Sequence, residues 1–375
     1  MMASAVGLVV TAALFSAPPS KPPGPKDDRP SSTEARWVFE TELLAGYGAA
    51  WRGDESANAF DLERAELGVG FDWRRHVMAE LRLDTVRSVS GQSQFGVDGN
   101  ALIVRLKRAW FGGGGTIGAF EIQAGAGLIA HPFLSEVERG HPFRGGSPTQ
   151  FERGSFLETA DLGAFLKVAG WRGALELGVA VMNGEGYSDV ELNEEKDLLA
   201  WVGSEPWQGP LFGSPASFWL GVAFQDGSIG AGSAANRRLL AGATFASSRI
   251  STGFEFAYAF GYTGEGGRDA SGTGVWLSGE PVASWLGVYA RYDHLNDEID
   301  DDDAVRHRVA FGLYSDLLTG LGGKLGHGRI WLRYTHERSG ADRGPVPGVP
   351  DSSTFHAFSL LVDLDAMYRV AIGAP

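Results

Sequence analysis

Apolar and polar positions alternate strictly along most of this chain. In residues 36–51, Trp37, Phe39, Thr41, Leu43, Ala45, Tyr47, Ala49 and Trp51 share one parity, and Glu40, Glu42, Gly46 and Gly48 the other. In 63–73, Ala65, Leu67, Val69, Phe71 and Trp73 oppose Arg64, Glu66, Gly68, Gly70 and Asp72. The pattern returns at 76–86, 249–262 and 304–315. Period two marks a strand whose faces meet different surroundings. These segments run about 10–14 residues, beyond the 5–6 usual for soluble strands and long enough to cross a bilayer at a tilt. The apolar parity is rich in Val, Leu and Phe, with Trp37, Trp51, Trp73, Tyr262 and Tyr292 near strand ends. That is the expected make-up of a lipid-facing band with aromatic girdles, and the charged and Gly-rich parity that of a wet lumen. Lipid offers no water to backbone groups, so such strands must close on themselves. The predicted fold is all-β, a transmembrane antiparallel β-barrel.

Sixteen strands are predicted: about 37–51, 60–73, 76–87, 101–111, 116–129, 156–169, 171–183, 197–203, 216–226, 237–246, 249–262, 273–279, 284–293, 304–315, 328–338 and 354–365. The even connections include 73–76, Gly112 to Gly115, Gly170 and Ser247-Ser248, all tight. The odd ones include 88–100, 130–155, 184–196, 227–236, 263–272, 294–303 and 339–353, all long. Short periplasmic turns and long external loops are the habit of outer-membrane barrels. The even connections 204–215 and 316–327 are long, which leaves the count open by two; strands 197–203 and 273–279 carry the weakest pattern.

The N-terminal region reads differently. Residues 4–15 are an apolar run of signal-peptide length, and Phe15-Ser16-Ala17 offers a small-residue cleavage site. Six prolines between Pro18 and Pro30 follow. The expected organisation is a signal peptide at 1–17, a Pro-rich flexible lead-in at 18–35 and one barrel domain at 36–375. Composition narrows the function classes. There is no Cys, which excludes disulfide modules, thiol enzymes and zinc fingers built on cysteine. A net charge of −14 argues against nucleic acid as a partner.

Several stretches resemble the phosphate-selective porin O and P family: LERAELGVGFDW (62–73), AELRLDT (79–85), LKRAWF (106–111), GAGLIAHPFLSEVER (125–139), VAVMNGEGYSDVELNEEKD (179–197) and GVYARYDH (287–294). The resemblance spans roughly residues 60–315. It implies a passive, homotrimeric channel of the Gram-negative outer membrane, embedded in lipid and lipopolysaccharide and passing small hydrophilic solutes or ions, with phosphate and other anions among the candidates. Members with phosphate selectivity place lysines in the lumen. This chain has six Lys, of which only Lys107 and Lys167 fall on predicted strands.

The polar parity carries the candidate pore-lining residues. They are Arg64, Glu66, Glu80, Arg82, Asp84, Arg105, Lys107, Lys167, Arg291, Arg306, Arg308, Arg329 and Arg333, with Arg172, Glu40, Glu42, Glu121, Glu176, Glu255, Asp293 and Glu337 on the same parity. Cations and anions nearly balance, so modest ion selectivity and no tight phosphate block are expected. A pore selects by local rings of charge, whereas cross-strand pairing would reduce these groups to a hydrating lining. The segment 130–155 is longer than a rim loop needs. With Phe133 and Phe143 as anchors and Glu136, Arg139 and Arg144 as water-facing charges, it is expected to fold inward and narrow the channel. The Asp run 300–303 could hold a divalent cation through oxygen ligands, although a solvated run or one bridged to lipopolysaccharide fits its spacing better. No catalytic residue, cofactor or metal site is expected. Two other classes stand beside the channel: a rim hydrolase, for which Asp293-His294 and Ser359 with His356 are the candidates, and a non-channel adhesin or structural barrel, which would fill its lumen with bulky apolar groups.

Overall fold

The computed structural model describes residues 34–52, 55–74, 76–87, 102–141, 147–187, 194–211, 214–229, 234–235, 237–262, 268–283, 286–299, 305–315, 327–339 and 354–373. The signal peptide, most of the lead-in, Phe143, Arg144 and the Asp run 300–303 lie outside these residues.

The strands are β1 (Glu34–Arg52), β2 (Glu55–Trp73), β3 (Val77–Arg87), β4 (Leu102–Ile117), β5 (Phe120–Ala130), β6 (Ala160–Gly170), β7 (Leu175–Met182), β8 (Asp197–Leu211), β9 (Ser214–Asp226), β10 (Ser228–Ile229), β11 (Ala234–Ala235), β12 (Arg237–Ser247), β13 (Ile250–Phe260), β14 (Ala270–Ala283), β15 (Leu286–Asn296), β16 (Val305–Ser315), β17 (His327–Ser339) and β18 (Thr354–Gly373). Two short helices, α1 (Pro132–Glu138) and α2 (Gln150–Arg153), lie between β5 and β6. Apart from the small β10–β11 ribbon, sixteen strands form one closed antiparallel barrel. β1 closes it against β18 from Glu34↔Gly373 to Arg52↔Phe355.

The outward parity is the apolar one. Phe39, Leu43, Leu67, Leu81, Phe111, Val179, Phe254, Phe311 and Leu332 are exposed, while Glu66, Asp84, Glu176, Glu255 and Asp293 on the other parity are buried. In a chain without a partner sheet, that exterior can be satisfied only by lipid. Trp37 packs on Phe71 and Phe120 on Trp171 toward one end, and Trp51 on Phe358 toward the other. Tyr262 is not part of the girdle. Gly261, at φ +78°, turns the chain inward, and the buried Tyr262 ring packs on Phe156.

All sixteen predicted strands are present, but some bounds shift. Gly112 to Gly115 is not a turn; it lies inside β4. A Cβ on Gly112 would sit 2.2 Å from the Ala124 carbonyl oxygen and one on Gly114 2.3 Å from that of Ile122, so the glycines permit close strand approach. The turn falls at Gly118, which has φ +61°. The connection expected at 204–215 shrinks because β8 continues to Leu211. Pro206 sits where the register shifts between Ser204 and Trp207, and Pro210 faces Pro215. This hairpin extends past its neighbours, since β7 pairs only to Ser204 and β12 only to Ala216. A free edge tolerates the missing N–H of proline. The strand predicted at 273–279 is likewise longer, because a shift beyond Gly279 absorbs Pro281 within β14. Residues 156–159 belong to the loop before β6, and Trp171–Gly173 form a 3-10 turn, which takes Arg172 off the strand. The connection 316–326 lies outside the described residues.

Candidate functional site: the lumen and its inward loop

The segment between β5 and β6 folds into the barrel. Pro132 starts α1, and His131 caps it: the Nδ1 lone pair accepts the Leu134 N–H at 3.4 Å. The other ring nitrogen lies 3.2 Å from Oε1 of Gln225 on β9. Burial pushes the His131 imidazole down to about 4, which keeps it neutral and able to cap. Thr149 and Glu152 form a capping box at the start of α2. Phe133, Leu134, Val137 and Phe151 are buried in a cluster that includes Trp201, Trp219 and Leu240 from the wall and Tyr262 from just beyond β13. Each such side chain contributes roughly 1.5–3 kcal/mol on burial. The Phe133 ring lies tilted at 6.1 Å from both Phe151 and Trp219. Phe151 is thus a second apolar anchor of the loop; Phe143, expected to be one, lies outside the described residues.

Ionic contacts fix the other end of the loop. Arg291 on β15 donates to Glu255 at 2.9 and 3.3 Å and to Asp293 at 2.7 Å. Glu255 also accepts the Gln150 N–H at the start of α2. Asp293 accepts from Arg153 at 2.8 Å, and Arg153 reaches Ser147 at 3.0 Å. Burial, with Arg308 and Arg291 nearby, lowers the Arg153 guanidinium to about 10, so it stays charged at neutral pH. Arg291 and Glu255 were expected to line the pore. They are wholly enclosed between loop and wall, because the loop covers β13 to β15.

The charges of β1 to β4 form a second network. Arg82 contacts three carboxylates: Glu40, Glu66 at 3.1 Å and Glu80 at 2.9 Å. Lys107 lies 2.6 Å from Glu66. Arg64 lies 3.4 Å from Glu66 and 3.8 Å from Glu42. Arg108 was missed by strict alternation. The register shifts between Arg82↔Arg108 and Leu83↔Leu106, so Lys107 is the extra residue of a bulge. Both Lys107 and Arg108 then face inward, and Arg108 reaches Glu80 at 3.5 Å. Arg105 donates to both oxygens of Asp84 at 3.0 and 3.1 Å. Its guanidinium lies 4.4 Å from the Tyr187 ring centre. Gly184 and Gly186, at φ +102° and +81°, turn the Asn-Gly segment so that Tyr187 reaches this wall. Burial and the Asp84 carboxylate raise the Tyr187 phenol, so its O–H donates to Asp84 at 2.9 Å.

On the remaining wall, Arg306 pairs with Asp297 at 2.8 Å and Arg333 with Glu63 at 2.7 Å. Arg329 lies 5.7 Å from the Tyr314 ring centre. Arg308 has an Nε without a hydrogen-bond partner, and the carboxylates of Asp293 and Glu337 stand directly opposite it on the neighbouring strands. On the loop, Glu136 joins Lys167 at 2.9 Å and Arg139, whose side chain is 57% exposed to the lumen. Lys167 also reaches Glu176 at 3.4 Å. Cross-strand pairing thus absorbs most of the predicted lining charges. Arg139 keeps an exposed cationic side chain despite its pair with Glu136, and Arg308 shares its neighbour Asp293 with Arg291 and Arg153.

The two hydrolase candidates separate. Asp293 and Ser359 point inward, whereas His294 and His356 fall on the outward parity of their strands. Neighbours in sequence on a strand face opposite sides. Among the described residues, no group of three or more His, Asp or Glu is placed to hold a metal ion.

Comparison with solved structures returns the same architecture. The anion-selective porin from Comamonas acidovorans matches over 88% of this chain and 100% of its own, at 14% identity and a TM-score of 0.59. OmpT, an outer membrane protein of Vibrio cholerae in its trimer form, matches over 88% and 99%, at 11% identity and a TM-score of 0.53. No family model matches the sequence. No curated protein matches it either. At these identities the likeness is one of fold: this chain is an outer-membrane-type β-barrel with porin architecture.

Proposed function

We propose that the protein is a passive porin of the Gram-negative outer membrane, through which small hydrophilic solutes and ions diffuse. The observation that carries this reading is the inward loop. Its apolar side packs against β7 to β9 and β12 to β15, and its charged side, with the exposed Arg139, is turned to the rest of the lumen. A structural or adhesin barrel has no need of a hydrated, charged bore, and bulky apolar groups fill only the loop side of this one.

The finer reading is weak anion preference. Most lumen cations are matched by carboxylates at 2.6–3.8 Å; Arg139, paired with Glu136 but with an exposed side chain, and Arg308, whose neighbour Asp293 is already shared with Arg291 and Arg153, are the two left to bias the field. Selectivity depends on such local imbalance. A paired lining does not supply the dense cation cluster that tight phosphate binding demands, so phosphate is one permeant anion among several. Assembly as a homotrimer accords with the trimer form of the Vibrio cholerae protein.

Recording in a planar bilayer under a salt gradient tests this. The expected result is stepwise conductance in multiples of three, with a reversal potential showing modest anion preference. A purified, folded protein that gives no steps would overturn the channel, and a clear cation preference would overturn the role given to Arg139 and Arg308.

A further inference from the structure

Four of the chain's eight histidines stand on four consecutive strands, all on the outward face and all near the external ends. His294 on β15 directly opposes His307 on β16. His336 on β17 directly opposes His356 on β18. The lumen, the loop and the proposed channel use none of them.

The two pairs repeat one arrangement. In the first, the Nδ1 atoms of His294 and His307 lie 3.5 Å apart, and the Tyr292 hydroxyl is 2.9 Å from Nδ1 of His307. In the second, the Nδ1 atoms of His336 and His356 lie 3.3 Å apart, and the Tyr334 hydroxyl is 2.8 Å from Nδ1 of His356. Both tyrosines stand two positions before a histidine, as Tyr292-Asp293-His294 and Tyr334-Thr335-His336. The ring centres are 5.0 and 4.8 Å apart, each pair tilted by 47°. Lipid-side packing holds the second pair in place, since Trp51 stacks on His356 at 5.3 Å.

The spacing is informative. Without a metal, both separations lie at the long end of the hydrogen-bond range. Two zinc–imidazole bonds of about 2.0–2.1 Å at the tetrahedral angle place their nitrogens about 3.3–3.4 Å apart. Each pair therefore presents two imidazole nitrogens near the edge length of a tetrahedral site, with a phenol oxygen beside them.

We propose that each pair, His294/His307 and His336/His356, binds one divalent transition-metal ion of the imidazole-preferring class, such as Zn²⁺, Cu²⁺ or Ni²⁺. Imidazole donors select these ions over Ca²⁺ and Mg²⁺, which take oxygen. Two imidazoles come from the protein at each site, and water fills the open positions. The tyrosine hydroxyl gives up its bond to the imidazole nitrogen and hydrogen-bonds a bound water instead. An ion bridging neighbouring strands at the external rim adds a cross-link to the barrel wall. Two protein ligands make weak, exchangeable sites, suited to surface capture of metal from outside and not to a resident cofactor. Ligation needs neutral imidazoles, so occupancy falls as pH drops through the histidine range.

The test is calorimetric titration of the whole barrel in detergent with Zn²⁺ at pH 7.5, followed by Cu²⁺ titration watched by electron paramagnetic resonance. Wild type is expected to take two ions per chain, with nitrogen hyperfine structure from two imidazoles in the copper spectrum. His307→Asn should remove one site and His356→Asn the other, and the double variant should bind at least tenfold more weakly. Heat-modifiable gel mobility confirms that each variant folds. Binding that survives in the folded double variant, as it would if acidic loops held the ion, overturns the proposal. So does a copper spectrum without nitrogen coupling.

Discussion

Arg291 and Glu255 meet at 2.9 Å, and neither side chain reaches water. They stand on β15 and β13, and Glu255 passes the contact on to the Gln150 backbone of α2. The pair is thus the ionic fastening between the barrel wall and the loop that enters it. Removing one member of a buried pair costs about 3–5 kcal/mol because the other charge is stranded. That cost falls on the loop, since the strand ladder is held by backbone bonds around the whole circumference.

Arg291→Met is therefore expected to leave a folded barrel with a loosened loop. Limited proteolysis in detergent should cut within 131–159 at least tenfold faster than in wild type, and channel recordings should become noisier. Cleavage at the wild-type rate would show that the apolar anchors suffice without the ion pair.

Loop replacement addresses constriction itself. Exchanging residues 134–152 for a short Gly-Ser linker removes Phe133's partner Phe151 together with Glu136 and Arg139. Single-channel conductance should rise and size exclusion weaken. Unchanged conductance in a folded variant would place the narrowest point elsewhere.

His131 gives the loop a pH dependence of defined sign. Its imidazole is held at about 4, against an ordinary 6.5 in the unfolded chain. The unfolded chain binds the proton first, so loop stability is full above about pH 6.5 and is lost as pH falls toward 4. The loss is about 3 kcal/mol once both states are titrated. Protonating Nδ1 also removes the helix cap. Protease cutting of the loop should increase between pH 7 and 4.5 in wild type, and much less in His131→Asn, which can still cap. An equal increase in both would assign the effect to other groups.

Ion selectivity follows from the pairing census. Arg308→Ser should reduce the anion bias of the reversal potential, and Arg82→Ser should instead strip Glu40 of its ion-pair partner, leave Glu66 and Glu80 with one cation fewer, and turn the pore toward cations. Phosphate should not block chloride current at micromolar concentration. Micromolar block would mean that a cationic cluster forms with residues beyond those described here.

The closed ladder has a simple signature. The protein should need detergent for extraction and should run faster unboiled than boiled on a denaturing gel, because no strand edge is free to fray. A soluble monomer without detergent would contradict a lipid-facing exterior.

Strand positions and faces were legible in the sequence because alternation is a local property. Leu81 outward and Arg82 inward follow from parity alone, and the sixteen strands with their tight and long connections follow from that parity and its breaks. Parity fails where one residue is added. The bulge at Lys107 turns Arg108 inward, and nothing in a period-two reading marks it. The prolines of β8 and β14 misled for a related reason: the cost of a missing N–H depends on whether a neighbouring strand lies alongside. The inward path of the loop was signalled by its length and by Phe133, but not the partners it meets. Its anchors, Phe133 on Trp219 and Gln150 on Glu255, join residues 86 and 105 positions apart. The same holds for the enclosure of Arg291 and for the meeting of His294 with His307 and of His336 with His356. Which side chains share a space across a barrel is set by strand register and closure, and a one-dimensional pattern holds neither.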